Sequence, residues 1–343
     1  MNRKVRIALD AMGGDYAPAT TVNGAIEAVA EWPDIEVVLV GDEAALTREL
    51  QEKKYPESNI TLKHASEFIV MDDPFSALRR KKDSSIKRAM ELHRDGGADA
   101  VVSAGHSGIT MATALLILGK SPGVERPAIA AIMPTYKKQF VLIDAGANVD
   151  CAPENLLQFA LMADAYCRLI LDRPQPKIGL LSIGQEASKG NELTKEAFKK
   201  LSSAKINFAG NVEGRDIFLG NVDAVVCDGF IGNVMLKTAE GLAEVTIKML
   251  KREITGTPIR KLGYLLMKPV FRSFKRQTDY AEAGGAPLLG INGACIICHG
   301  RSSDRAIKNA IKVAAEFARK KVNESISEEI KSTHPAESTF VAG

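Results

Sequence analysis

Six short runs of this chain share one design. Each reads as a β-strand that ends in small and polar residues. Residues 7–15 end on Asp10, Gly13, Gly14 and Asp15, and residues 101–108 on Ser103, Gly105, His106, Ser107 and Gly108. Residues 141–150 carry Asp144, Gly146 and Asn148. Residues 179–186 carry Ser182 and Gly184, and a Lys189-Gly-Asn191-Glu192 stretch follows. Residues 224–233 carry Asp228, Gly229, Gly232 and Asn233, and residues 295–300 end on His299 and Gly300. Glycine lets backbone amides approach an anion closely, and a helix that follows presents its positive N-terminus. Such ends suit a small oxyanion. Taken singly, each is equally an ordinary turn, a solvated loop carboxylate or a surface lysine. Six together favour one shared site.

The elements between these ends alternate between strand-like and helix-like stretches. That pattern predicts an α/β chain with a mostly parallel, doubly wound sheet, whose ligands lie outside the carboxyl ends of the strands. Residues 129–133 and 140–143 lie close together and read as an antiparallel hairpin within it. No clear linker or repeat divides the chain, so residues 1–328 read as one α/β domain. Two segments read as insertions. Residues 67–82 are irregular and charged and end in Arg79-Arg80-Lys81-Lys82. Residues 255–279 mix apolar and basic side chains and read as a protruding helical hairpin framed by Pro258 and Pro269. The polar stretch 329–343 reads as a flexible tail.

Composition narrows the chemistry. Lys and Arg exceed Asp and Glu by only three, so no polyanion-binding signal exists. The N-terminus has no apolar secretory core, and no run approaches the length of a spanning helix. Five cysteines fit a reduced cytosolic protein. Cys295 and Cys298 have redox spacing, yet in a strand they would face opposite ways. Buried apolar thiols are the plainer reading, a redox or zinc role the other. No Gly-x-Gly-x-x-Gly fingerprint, P-loop, His-Glu-x-x-His or Gly-x-Ser-x-Gly elbow occurs.

In this order, the runs resemble the PlsX family, bacterial phosphate acyltransferases that use acyl-acyl carrier protein. The likeness rests on Asp10-Ala-Met-Gly13-Gly14-Asp15, Asp144-x-Gly-Ala-Asn148-Val-Asp150, Lys189-Gly-Asn191-Glu-Leu-Thr194, Gly210-Asn-Val-Glu-Gly-Arg-Asp216 and Asp228-Gly-Phe-x-Gly-Asn233. Three positions depart from the family pattern. His106-Ser107 stands where Asn-Thr is common, and Ile231 where threonine is common. The resemblance implies an isopropylmalate-dehydrogenase/phosphotransacetylase-like fold, a homodimer and a cytoplasmic role that starts phospholipid synthesis. The implied reaction turns acyl-carrier protein and inorganic phosphate into acyl phosphate and free carrier, with no cofactor or metal.

Residue roles follow as expectations. The amides of residues 105–108, the Ser107 hydroxyl and the Gly13-Gly14 turn hold phosphate. Asp10, Asp15, Ser103, His106, Asn191 and Asp228 complete the substrate-binding set. Lys189 and Asn233 stabilise the oxyanion, and Asp144 and Asn148 orient those groups. His299 or His106 protonates the departing thiolate. Arg260, Lys261, Leu265, Leu266, Lys268, Phe271 and Arg272 form a basic-apolar arm. That arm lies on the anionic inner face of the membrane, grips the acidic carrier protein, or packs on a dimer partner. Its leucines could also line an acyl groove. The rivals are a phosphotransacylase using acyl-coenzyme A, an NAD-dependent dehydrogenase on the same fold, and a membrane-docking scaffold of lipid synthesis.

Overall fold

The computed structural model describes residues 3–255, 257–278 and 284–333. Among them the strands form two sheets rather than the single sheet the alternation predicts. The first has seven strands in the order β3 (Ile60–His64), β2 (Ile35–Gly41), β1 (Val5–Asp10), β4 (Ala100–Ser103), β12 (Cys295–Ile297), β11 (Ala286–Leu289) and β5 (Ala128–Ile129). The second has five, ordered β6 (Ala131–Pro134), β7 (Gln139–Ile143), β10 (Ala224–Val226), β8 (Ile178–Leu181) and β9 (Phe208–Val212). From β3 to β12, and from β7 to β9, every pairing is parallel. The chain steps from one sheet to the other at Ala130, between β5 and β6. A run of apolar residues does not show such a step, because both strands are buried and read alike. The 131–143 hairpin is antiparallel, as its short link predicts.

Alternation along the strands divides the core. Ile7 and Leu9 face one layer with Val141, Ile143 and Leu180, so that layer runs continuously beneath both sheets. The helices Ala19–Glu31, Pro153–Leu169 and Asp304–Arg319 fill it. Ala8, Val38 and Val101 face the opposite layer, under the helices Ser85–Arg94 and Ser107–Ile117. Cys298 belongs to the first layer and Cys295 to the second. The Cys-x-x-Cys pair therefore straddles the sheet, as strand geometry requires. Burial raises the pKa of both thiols, that of Cys298 to about 12.

The hairpin differs from its expected form. Its first arm is the long helix Gly229–Thr255, which starts at the end of β10, and its second is Pro258–Thr278. Pro269 sits inside the second helix instead of ending it. Its missing N–H removes one helical hydrogen bond, and because the helix is exposed the freed carbonyl is open to water. Residues 329–333 of the expected tail are instead ordered, because Val322–Thr333 is helical and Glu329 pairs with Arg168. Residues 334–343 lie outside the described residues.

The helices Ala19–Glu31 and Asp304–Arg319 approach so closely that a Cβ on Gly24 would stand 2.6 Å from Ile307 Cβ. Gly24→Val is expected to force them apart and to lower the unfolding free energy by about 2–3 kcal/mol. Urea denaturation measures it. A wild-type midpoint would show that the two helices do not depend on contact at Gly24.

Candidate active site

Three neighbouring strand ends of the first sheet are sewn together by one acid. Asp10 ends β1 beside Ser103, its register partner on β4. Ser103 Oγ donates to Asp10 Oδ2 at 2.7 Å, and Ser85 Oγ donates to Oδ1 at 2.6 Å. Ser103 Oγ in turn accepts the Gly105 amide at 3.1 Å. A Cβ on Gly13 would lie 2.6 Å from Asp10 Oδ2 and 2.9 Å from the Gly105 nitrogen, so only glycine lets the two loops close. The Asp15 amide donates to Gly300 O at 2.8 Å, which ties in the loop after β12. Asp10 is almost wholly buried, and that burial raises its pKa.

The loop after β4 opens the helix Ser107–Ile117. His106 caps that helix with its own ring, whose Nδ1 accepts the Ile109 amide at 3.4 Å. The Gly105 amide is committed to Ser103. Among the described residues no acceptor occupies the amides of Ser107 and Gly108, and the Ser107 hydroxyl is likewise uncommitted. Of the expected four-amide cradle only the Gly105 amide is committed, which among the described residues leaves the amides of His106, Ser107 and Gly108 and the Ser107 hydroxyl. On the next loop His299 Nδ1 accepts the Arg301 amide at 3.2 Å. Surrounding protein, then the Lys237 ammonium, hold the imidazole pKa below its ordinary value. In the neutral ring the proton therefore sits on Nε2.

The second sheet contributes another buried acid. Asp144, at the end of β7, accepts five hydrogen bonds. Oδ1 takes the amides of Ile129, Gly146 and Ala147 at 3.0, 3.2 and 3.0 Å. Oδ2 takes the Asn148 amide at 2.7 Å and Asn148 Nδ2 at 2.9 Å. Ile129 belongs to β5, so this carboxylate bonds one sheet to the other. Asn148 Nδ2 also donates to Pro127 O at 2.8 Å. Asp144 is fully enclosed and Asn148 nearly so. Both brace the loop between the two sheets. The helix Gly229–Thr255 starts against this loop, since a Cβ on Gly232 would fall 1.9 Å from Asp144 O. Asn233 follows, packed on Gly146 and exposed, with its amide uncommitted among the described residues.

Several expected residues serve locally. Asp228 Oδ1 caps the same helix by accepting the Ile231 amide at 2.9 Å. Asn191 Oδ1 caps Glu192–Ser203 by accepting the Thr194 amide at 2.9 Å. Lys189 is exposed, its stem packed over Gly184 in its own loop, and it is not brought into hydrogen-bond contact with Asp144 or Asn233. Asp15 pairs loosely with Arg301 at 3.7 Å.

Two residues escaped the sequence reading. Ser85 follows an insertion and carries no motif of its own. Lys237 stands one turn after Asn233 on the same helix face and lies close enough to His299 to shift it. That i, i+4 spacing was the available signal. Cys151 is half-buried near Asp144 and Asp228, and burial pushes its thiol pKa to about 11. It is no thiolate nucleophile near neutral pH.

The arm is solvent-facing. Leu265 and Leu266 are 61% and 78% exposed, and Lys268 is exposed. Arg260 Nη1 turns back to Glu253 Oε2 at 3.2 Å, and Phe271 packs on Tyr264 with ring centres 5.0 Å apart. The side chains of Lys261, Leu262 and Arg272 lie outside the described residues. Among the described residues, Leu265 and Leu266 line no enclosed groove. An apolar groove of about 450 Å³ runs instead between Phe218 and the helix Gly229–Thr255, along Met235, Ala239, Leu242 and Thr246. That stripe is about 200° around the helix from Asn233 and Lys237, so the groove lies behind the site.

Burial makes the folded state hold the Asp10 proton more tightly than the unfolded chain does. Wild type is then relatively most stable below the ordinary carboxylate range and loses ground as pH rises through it. Asp10→Asn does not titrate. Between about pH 4 and about pH 7, wild type is expected to lose stability relative to Asp10→Asn in urea titrations. A relative gain with rising pH would mean that the two serines hold Asp10 ionised.

Comparison with known proteins fits this architecture. A family described as "Fatty acid synthesis protein" matches residues 5–325. A phosphate acyltransferase of Thermodesulfovibrio yellowstonii is 55% identical over 329 residues, covering 96% of this chain and 95% of that protein. One of Geotalea daltonii is 51% identical over 332 residues, covering 96% of each. Among solved structures, a phosphotransacetylase from Streptococcus pyogenes superposes with a TM-score of 0.64 at 19% identity, covering 93% of this chain and 95% of that one. The α/β architecture is thus of the phosphotransacetylase kind. The chain belongs to the PlsX family of phosphate acyltransferases and is an acyltransferase.

Proposed function

We propose that the chain transfers a fatty acyl group from acyl-acyl carrier protein to inorganic phosphate, releasing acyl phosphate for phospholipid synthesis. The observation that carries this reading is the near-full-length identity to phosphate acyltransferases. In support, uncommitted donors stand on strand-end loops of both sheets, the acids beneath them are buried as braces, and Lys237 of the second sheet's helix lies near His299 of the first.

Near neutral pH phosphate is an anion and needs no strong base. The barrier is electrostatic, because an anion attacks a carbonyl and a second negative charge develops on the carbonyl oxygen. Preorganised donors lower that barrier most. The Ser107 and Gly108 amides and the Ser107 hydroxyl hold the phosphate at a helix N-terminus. A phosphate oxygen attacks the thioester carbon, and Asn233 donates to the carbonyl oxygen as it charges. The carbon–sulfur bond then breaks and the thiolate leaves. Lys237 supplies positive charge near this oxygen, with Lys189 as the second cation. His299, neutral at working pH, offers its Nε2–H to the departing sulfur as a hydrogen bond. Transfer is direct, with no acyl-enzyme.

The reading carries with it a cytoplasmic homodimer that touches the membrane's inner face through Pro258–Thr278. Among the described residues no helix is long and apolar enough to cross a bilayer, so contact would be peripheral. Ile259, Leu265, Leu266, Met267 and Val270 are exposed there, with Lys268 among them. An apolar face with cations suits an anionic interface.

Acyl phosphate formation from acyl-carrier protein and phosphate, without added metal or nucleotide, tests the reaction. Asn233→Ala is expected to lower kcat about 100-fold or more, the worth of one oxyanion donor. Turnover with acyl-coenzyme A alone would replace the donor, and a trapped acyl-serine or acyl-cysteine would sink direct transfer. Leu266→Glu is expected to abolish flotation with anionic vesicles and to leave turnover in solution unchanged. Undiminished flotation would remove the arm from the membrane.

A further inference from the structure

The excursion between β3 and the helix Ser85–Arg94 has no part in the mechanism above, yet it stands at the mouth of the site. A Cβ on Gly300, next to His299, would lie 3.0 Å from Met71 Cε. The helix that follows the excursion carries Ser85, the hydroxyl on Asp10. We propose that residues 70–82 are the surface on which the acyl carrier protein docks. This rests on the acyl-carrier reading of the donor and adds where that donor sits.

The base of the excursion is fixed. Glu67 pairs with Ser84 as an isolated bridge, and Asp83 Oδ2 accepts the Ser66 amide and hydroxyl at 2.8 and 2.6 Å. Lys81 is spent inside, donating to Phe68 O at 2.8 Å and to Asp73 at 2.5 Å. The remaining cations are not. Arg79, Arg80 and Lys82 are exposed, and among the described residues their side chains make no hydrogen bond or ion pair. Asp72 is the exposed acid beside them. Large apolar side chains accompany the cations, with Phe75 61% and Val70 47% exposed. Unpaired cations around an apolar patch complement an acidic protein that must also bury some surface. The backbone beneath them is pinned at its base, so docking orders chiefly side chains.

Position separates this partner from lipid. A carrier delivers its thioester on an arm of limited reach and must settle close to the reacting loops, as Met71 and Ser85 do. The exposed face of Pro258–Thr278 is more apolar and belongs to a projecting hairpin. The two basic-apolar surfaces thus divide two of the roles that stood as alternatives for the arm alone.

Steady-state kinetics with acyl-carrier protein test the assignment. The double variant Arg79→Glu/Arg80→Glu is expected to raise KM for acyl-carrier protein at least about tenfold, with kcat and the KM for phosphate unchanged. Its kcat/KM should also depend less on salt. Phe75→Ala should raise the same KM by itself. An unchanged KM in both variants, or a loss confined to kcat or to phosphate, would overturn the proposal. So would an unchanged KM with loss of binding to anionic vesicles, which would make the surface a lipid contact. Wild type that turns over acyl-coenzyme A and not acyl-carrier protein would instead refute the donor itself, before any variant is made.

Discussion

An enclosed carboxylate bonds one sheet to the other. Asp144 gathers the amides of its own loop and the amide of Ile129 on the other sheet. All its partners are donors. Burial leaves its pKa above the ordinary range. The donors oppose that shift, because a protonated oxygen would face an N–H with nothing to give it. Removing the side chain would strand the buried Asn148 amide, at a cost of about 1–3 kcal/mol, and free the part-buried amides of Ile129, Gly146 and Ala147. The loop it shapes is also the surface on which Gly229–Thr255 begins. A Cβ at Gly229 would come within 2.6 Å of Asp144 Oδ2, so the helix start and the carboxylate fit only through glycine. The place of Asn233 and Lys237 therefore follows from this acid.

Asp10 does the same work in the first sheet with different partners. Its neighbours are hydroxyls, which can turn, where those of Asp144 are mostly backbone amides, which cannot. One acid thus fixes a scaffold and the other fixes side chains. Neither is exposed enough to meet a substrate. Groups that stay uncommitted sit on the loops these acids brace, which lets donors remain unpaired without collapsing onto one another. Preorganisation of this kind is what an electrostatic mechanism demands.

Much of this was legible in the residues. The polar strand ends, the parallel alternation, the 131–143 hairpin and the opposed faces of Cys295 and Cys298 all follow from strand periodicity and short links. The split into two sheets was not, because β5 and β6 are separated by one alanine and both are buried. Pro269 misled because a proline's penalty depends on whether solvent can satisfy the carbonyl it frees. At Asp228, Asn191 and His106 the sequence shows a polar residue before a helix, which serves equally as a cap or as a ligand. Capping needs only the chain's own amides, and there it won. Ser85 was invisible because its partner Asp10 lies far away in sequence and only the fold brings them together.

The helix Gly229–Thr255 carries the remaining logic. Asn233, Lys237, Glu240 and Glu244 recur along one face, while Met235, Ala239, Leu242 and Thr246 line the apolar groove with Phe218. Its first turn is clamped by the Asp144 loop, and its far end leads into the projecting hairpin. Two polar stripe residues are already neutralised by each other, Lys237 with Glu240 at 2.8 Å. A surface ion pair of this kind is worth little in stability. Its consequence is electrostatic: the ammonium beside His299 is screened while Glu240 faces it, and gains force on an arriving anion if that carboxylate turns away. An anion entering the cleft thus competes for a cation that the fold has placed there but bound only weakly.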